Sequence, residues 1–186
     1  MSKIKSLRSR TVRVPLDHPT AFSTRSVLAR DYTLVEVATD DDHTGIGFCY
    51  SGNAGGTLVT GAVRELLAPV VLGQDPYRVE GLWQEMYQEV LLHGRAGTVM
   101  RALSAIDIAL WDRNARAAGL PLYKYLGASV VDTVPAYASG GYYLEGKTPE
   151  MLGEELAAYV AMGFKAVKIN VGRLGLNEEE ARVAAV

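Results

Sequence analysis

Gly163-Phe164-Lys165-Ala166-Val167-Lys168-Ile169-Asn170-Val171-Gly172 is the stretch on which the reading of the fold turns. Between its two glycines, Val167, Ile169 and Val171 alternate with Ala166, Lys168 and Asn170, the period of a β-strand. One face is apolar and suits packing against helices. The other carries a small residue, a lysine and an amide, with the polar pair at the C-terminal end. A lysine on the inner face of a buried parallel strand is costly unless an anion meets it. In a β/α barrel that end of a strand is the mouth, where chemistry is done. Lys168 and Asn170 are therefore the first candidates for a site, and Lys168 is expected to be buried. The same pattern also fits an edge strand whose polar side faces water.

Upstream, Val134-Pro135-Ala136-Tyr137-Ala138-Ser139 reads as another strand, ending in Gly140-Gly141. Thr148-Pro149-Glu150 opens a helix with a hydroxyl cap, a proline in the first position and a carboxylate in the first turn. Leu152, Leu156, Tyr159 and Val160 form its apolar stripe, and Gly163 ends it. The whole is a strand–helix–strand unit. Downstream, Asn177 reads as the cap of a further helix, with Glu178, Glu179 and Glu180 at its positive end. Residues 131–186 are far short of the roughly 250 that a closed barrel needs. The reading is therefore the front half of a longer protein.

Before residue 131 the grammar differs. Lys3–Val14 reads as a half-buried strand ended by Pro15, and 16–30 as a long loop. Tyr32–Thr39 and Ile46–Tyr50 are two more strands, joined by Asp40–Gly45, which makes a three-stranded meander. Three helical patterns follow. The first has its apolar face at Leu58, Val59, Ala62, Val63, Leu66 and Leu67 and is closed by Pro69. The second is capped by Asp75 with Pro76 in its first turn and buries Val79, Leu82, Trp83, Met86 and Val90. The third runs from about Thr98 to Ala118 and is stopped by Gly119 and Pro121. The tryptophans and methionines stand at helical spacing and read as core. His93 and His43 have no partner in sequence. Ser51–Gly56, SGNAGG, lies where a phosphate-binding loop would, but lacks both the lysine ending and the GxGxxG spacing.

The charge balance, 19 basic against 21 acidic residues for a net of −2, gives no reason to expect nucleic acid or a membrane surface as partner. Cys49 is the single cysteine, which fits a reducing compartment, and no basic-then-apolar leader opens the chain. A cytoplasmic location is the expectation.

Set together, these segments resemble the N-terminal half of an enolase-superfamily enzyme of the mandelate racemase/muconate lactonizing group. RTVRVPLDHPTAF (10–22) and YTLVEVATDDDHTGIGF (32–48) resemble the meander of its capping domain. RALSAIDIALWDRNARAAGLPLYKYLG (101–127) resembles the third capping helix and the turn into the barrel, and is the most specific of the matches. AMGFKAVKINVG (161–172) resembles the second barrel strand, where the family carries a lysine, one spacer and often a second lysine.

The resemblance implies an α+β capping domain (1–130) followed by the first part of a modified TIM-type β/α barrel (131–186). It implies removal of the proton α to a carboxylate, with Mg²⁺ and a lysine stabilising the enediolate. Lys168 matches the first lysine, the electrostatic partner of the substrate carboxylate. Asn170 falls where racemases carry the second lysine as acid/base, and an amide cannot abstract that proton. That departure favours a one-base acid-sugar dehydratase over a two-base racemase or epimerase. Ser139 and Tyr137, at the end of the first barrel strand, are implied substrate contacts. So are His18, Phe22 and Arg25 of the 16–30 loop, the family's specificity loop, and Tyr50 on the neighbouring capping loop. The metal ligands and the base are expected C-terminal to residue 186, and neither Asp107 nor Asp132 replaces them. An inactive fragment without them is the competing class. The implied partners are a small carboxylate substrate, an acid sugar or 2-hydroxy acid, and further copies of the chain.

Overall fold

The computed structural model describes residues 2–22, 24–128 and 133–186, with Phe22 in its backbone only. The chain divides into two compact units, Met1–Val14 with Ala29–Asp132, and Pro15–Leu28 with Thr133–Val186. The expected domain boundary at 130/131, and Asp132, lie outside the described residues.

β1 (Ile4–Phe22), β2 (Arg25–Thr39) and β3 (Thr44–Tyr50) form one sheet in the order β1-β2-β3, with residues 15–22 of β1 and 25–28 of β2 counted in the second unit. β2 and β3 are antiparallel, with Leu34 opposite Phe48 and Val37 opposite Gly45. Along β2 burial alternates, so that Thr33, Val35, Val37 and Thr39 face the helices. In the first unit, after the turn at Ser51–Gly55, α1 (Gly56–Ala62), a π turn (Val63–Leu67) and α2 (Ala68–Val71) make one continuous helical run. α3 is Val79–Glu89 and α4 is Thr98–Ala117, followed by the short α5 (Leu122–Tyr125). The core joins Val35 and Val37 to Val59, Val63, Leu67, Leu82, Met86, Leu103, Ile106 and Leu110.

The sheet and α4 meet backbone to backbone. A Cβ added at Gly45 would lie 2.0 Å from the Ala109 carbonyl oxygen, and one at Gly47 would lie 2.0 Å from that of Ala105. Two glycines on β3 facing an alanine row (Ala102, Ala105, Ala109) let the helix sit directly on the strand.

Several expectations are corrected. The 16–30 stretch is strand, not loop: β1 runs through Pro15 and Pro19 to Phe22, and β2 starts at Arg25. The prolines are tolerated because β1 is the outer strand. Ala21, an even number of residues from both, sends its N–H to the Tyr143 carbonyl, away from β2. The missing proline donors therefore fall on the open edge. Pro69 does not end its helix, which continues to Val71. The wider π turn just before it, closed by the Ala68 N–H on the Val63 carbonyl, makes room for the ring. Asp75 closes a turn rather than capping α3, since its side chain accepts the Tyr77 N–H at 3.0 Å and the helix begins at Val79.

The second unit holds β4 (Ala138–Ser139), α6 (Pro149–Ala161), β5 (Val167–Lys168) and α7 (Leu176–Ala184). β4 and β5 pair in parallel, and Ala21 of β1 bridges to Tyr143. Thr148 caps α6 as expected, its Oγ1 accepting the Met151 N–H at 3.3 Å. Leu152 and Leu156 are buried, but Val160 is exposed. The strands at 134–139 and 164–171 shrink to two residues each, because among the described residues each has only the other to pair with in this sheet. The cap of α7 is Gly175, not Asn177, and Glu178 reaches back to the Gly175 N–H at 3.1 Å. No helix among the described residues is long and apolar enough to cross a membrane.

Candidate functional site

The parallel pair fixes the polar cluster. Ser139 stands opposite Lys168 in register, and the Gly140 N–H bonds the Lys168 carbonyl at 2.9 Å. Ala138, on the other face, is buried, while Ser139 and Lys168 are exposed. Asn170, two residues on, accepts the Lys168 ammonium through Oδ1 at 2.7 Å. Its own Nδ2 is enclosed and has no hydrogen-bond partner among the described residues.

The expected burial of Lys168 is therefore corrected. Among the described residues Lys168 is exposed, so the ammonium keeps its water and does not need an anion to offset desolvation. What singles it out is position, at the carboxyl ends of parallel strands beside an amide and a hydroxyl.

The structure brings Ser139, Lys168 and Asn170 together. Tyr137 is exposed just ahead of β4. His18 on β1 and Arg25, the first residue of β2, are exposed in the same unit. Among the described residues neither side chain bonds to the Lys168 cluster. The Phe22 side chain lies outside the described set. Tyr50 belongs to the first unit, where its ring lies 5.7 Å from that of Tyr32 and its carbonyl accepts Arg101.

The SGNAGG turn is spoken for by an acid. Buried Asp31 accepts the Gly56 N–H through Oδ2 at 3.2 Å and pairs with Arg13 at 3.3 Å. A carboxylate thus occupies the place a phosphate would take. Asp107 is half-buried between α3 and α4 near Trp83 and Trp111, and burial raises its pKa. It pairs with no arginine among the described residues. In those residues no three His, Cys, Asp or Glu side chains stand together as a metal site.

Sequence reasoning missed the groups that hold the strand ends. Glu179, expected only to fill the positive end of α7, is buried. Its Oε1 accepts the N–H groups of Gly172 at 3.1 Å, Arg173 at 2.9 Å and Leu174 at 2.9 Å, together with the Tyr143 hydroxyl. Burial pushes its carboxyl up, but the Tyr143 hydroxyl and these backbone donors outweigh it and hold the pKa at about 2. Glu155 on α6 accepts the Gly141 N–H at 3.1 Å, the Tyr159 hydroxyl at 2.9 Å and the Lys147 ammonium. Burial raises its pKa too, and the same three partners bring it below the usual value. The one available signal was that each carboxylate sits on the helix following a strand that ends in glycine.

Comparison with known proteins points one way. The profile of the mandelate racemase / muconate lactonizing enzyme N-terminal domain matches residues 4–127. Arabinonate dehydratase of Saccharolobus solfataricus is 38% identical over 81% of this chain and 40% of its own length. The 3,6-anhydro-alpha-L-galactonate cycloisomerase of Streptomyces coelicolor is 36% identical over 98% of this chain and 50% of its own. Among solved structures, L-talarate/galactarate dehydratase of Salmonella typhimurium, liganded with Mg and L-lyxarohydroxamate, superposes with a TM-score of 0.90. It is 28% identical over 100% of this chain and 48% of its own. A Streptomyces coelicolor racemase with bound magnesium gives 0.91, at 35% identity over 98% of this chain and 50% of its own. The chain spans about half the length of the relatives it matches.

Proposed function

Because this chain belongs to the mandelate racemase/muconate lactonizing enzyme family of the enolase superfamily, we propose that it forms the capping domain (1–130) and first barrel strands (131–186) of an acid-sugar dehydratase. Lys168, paired with Asn170 and set opposite Ser139, is the observation that carries the reading. One N–H of the ammonium goes to Asn170. The rest are left for a substrate carboxylate, with the Ser139 hydroxyl alongside.

When the α-proton leaves, negative charge moves onto the carboxylate oxygens. A fixed ammonium binds that enediolate more strongly than the ground-state acid, which lowers the barrier. Loss of the β-hydroxyl then completes removal of water. The enol product tautomerises to a 2-keto-3-deoxy acid. Asn170 cannot serve as a base, so the second-lysine position of the strand offers no proton acceptor. That supports dehydration over two-base racemisation, although the Streptomyces relatives keep an isomerase as the second reading.

Magnesium enters the proposal through the relatives solved with it. The described residues do not fit an ion, lacking any cluster of ligands. Its ligands and the base are proposed to come from outside residues 1–186, which the greater length of the relatives supports. Tyr137, His18, Phe22, Arg25 and Tyr50 are proposed as further substrate contacts, supported by the resemblance alone. A homo-oligomer in the cytoplasm completes the proposal, with half-buried Cys49 as its support for a reducing compartment. Incubating the full-length protein with magnesium and a panel of acid sugars should yield a 2-keto-3-deoxy acid from at least one. Interconversion of epimers without water loss would favour the isomerase.

A further inference from the structure

The two strand ends in the second unit are held from behind in the same way. Each β/α step places a carboxylate on the helix that follows its strand. That carboxylate accepts backbone N–H from the loop leaving the strand, a tyrosine hydroxyl accompanies it, and a cation lies beside it. Glu155 has Gly141, Tyr159 and Lys147. Glu179 has Gly172 to Leu174, Tyr143 and Arg182, whose Nε lies 3.6 Å from Oε2.

The two assemblies meet at Gly141. Its N–H goes to Glu155, and its carbonyl accepts Arg182 at 3.0 Å. The Arg182 guanidinium also lies 4.2 Å from the centre of the Tyr143 ring. Gly141 has φ +65°, and a Cβ there would lie 2.8 Å from the Ile169 side chain. No larger residue fits that conformation and that space together. From Lys147 to Leu174 the contacts are continuous, and they hold the backbone that leaves the strands just after Ser139 and Asn170.

We propose that Glu155 and Glu179 are positioning residues that act as one clamp through Gly141 and Arg182, fixing Ser139 against the Lys168–Asn170 pair. The clamp deepens the reading of Lys168 as the carboxylate-binding group and rests on it. A carboxylate oxygen suits the task better than an amide, because Glu179 Oε1 gathers four donors, and charge-assisted bonds are shorter and stronger.

The test uses the full chain and two charge-neutral variants, Glu155→Gln and Glu179→Gln. The first arm is amide NMR, which needs no substrate. Glu155→Gln should move the backbone signals of Gly172, Arg173 and Leu174 on the far side of the clamp. Glu179→Gln should move that of Gly141, and both should move the Asn170 side-chain amide. Shifts confined to each variant's own loop, with Asn170 unmoved, would overturn the clamp.

The second arm is steady-state kinetics on an acid sugar that the wild type turns over. Both variants should lower kcat by about ten- to a hundredfold with little change in KM, as misplacement by about an ångström does. An unchanged kcat per folded molecule, with only the folded yield reduced, would make the carboxylates structural and refute the positioning role. If the wild type turns over no acid sugar, the proposed function fails, and the NMR arm still decides the clamp.

Discussion

Gly47→Ala should destabilise the first unit severely. The added Cβ would sit 2.0 Å from the Ala105 carbonyl oxygen, 2.8 Å from the Ala109 nitrogen and 3.1 Å from the Ala105 carbonyl carbon. The nearest of these is roughly 1.4 Å inside the 3.4 Å at which ordinary contact begins, on the steep side of the van der Waals wall. The clash is with helix backbone, so no side chain can swing aside. α4 cannot retreat locally either, because Leu103, Ile106 and Leu110 are fully buried around it. Overpacking of this kind costs about 1–3 kcal/mol, and backbone against backbone belongs at the upper end, about 3 kcal/mol. That is a large part of the roughly 5–15 kcal/mol available to a domain. Urea denaturation of wild type and variant reads the change in midpoint at constant slope. Gly61→Ala is the internal control, since nothing lies within 4 Å of its added Cβ in α1. It should stabilise by up to about 1 kcal/mol through helix propensity. A Gly47→Ala protein within about 0.5 kcal/mol of wild type would refute the argument that the glycines set the sheet-to-helix distance.

Three more outcomes follow from the same geometry. The Glu179 carboxyl is lowered from 4.5 to about 2, so the stability it contributes is present above pH 4.5 and lost as the pH falls toward 2. Glu179→Gln should flatten the stability–pH profile across that window and remove on the order of 3 kcal/mol at neutral pH, as pH-dependent denaturation would show. Arg113 is wholly buried, bonding Thr39 at 3.0 Å, Asn114 at 3.1 Å, Ser2 at 3.1 Å and the Asp41 carboxylate. Arg113→Met should cost about 3 kcal/mol in the same denaturation assay, at the low end for a broken buried pair because Asp41 keeps some water. It should also return the Asp41 carboxyl, held low chiefly by its Arg113 bond, toward its ordinary value in an NMR titration. In the full-length protein, solvent deuterium should enter the α-carbon of substrate from one face only, because Asn170 supplies no base; equal exchange from both faces by NMR would contradict this.

The elements legible in the sequence were those whose signal is local. Thr98 to Ala118 declared α4 through periodicity and the Gly119 and Pro121 stop, and Thr148-Pro149 declared the start of α6. The misreadings came where tertiary context overrides a local rule. Pro15 and Pro19 argue against a strand until β1 is known to be the outer one, and Pro69 argues for a helix end until the π turn before it is seen. Gly45 reads as part of the turn and Gly47 as an ordinary strand position, because the helix they admit lies more than fifty residues away in sequence. At the candidate site, Lys168 and Asn170 stood out by their alternation with apolar residues. Glu155 and Glu179 did not, because a helical glutamate looks the same whether it faces water or gathers backbone N–H groups from a distant loop. The burial of Lys168 was misjudged for a related reason: the strand's alternation shows two faces but not what covers them.

Turnover by Lys168→Ala in the full-length protein tests the central claim most directly. Lys168 is not part of the buried core of this chain, and circular dichroism and the denaturation midpoint should match wild type. Conversion of the acid sugar that the wild type dehydrates should then fall to background. A folded Lys168→Ala protein that still forms the 2-keto-3-deoxy acid at the wild-type rate would contradict the assignment.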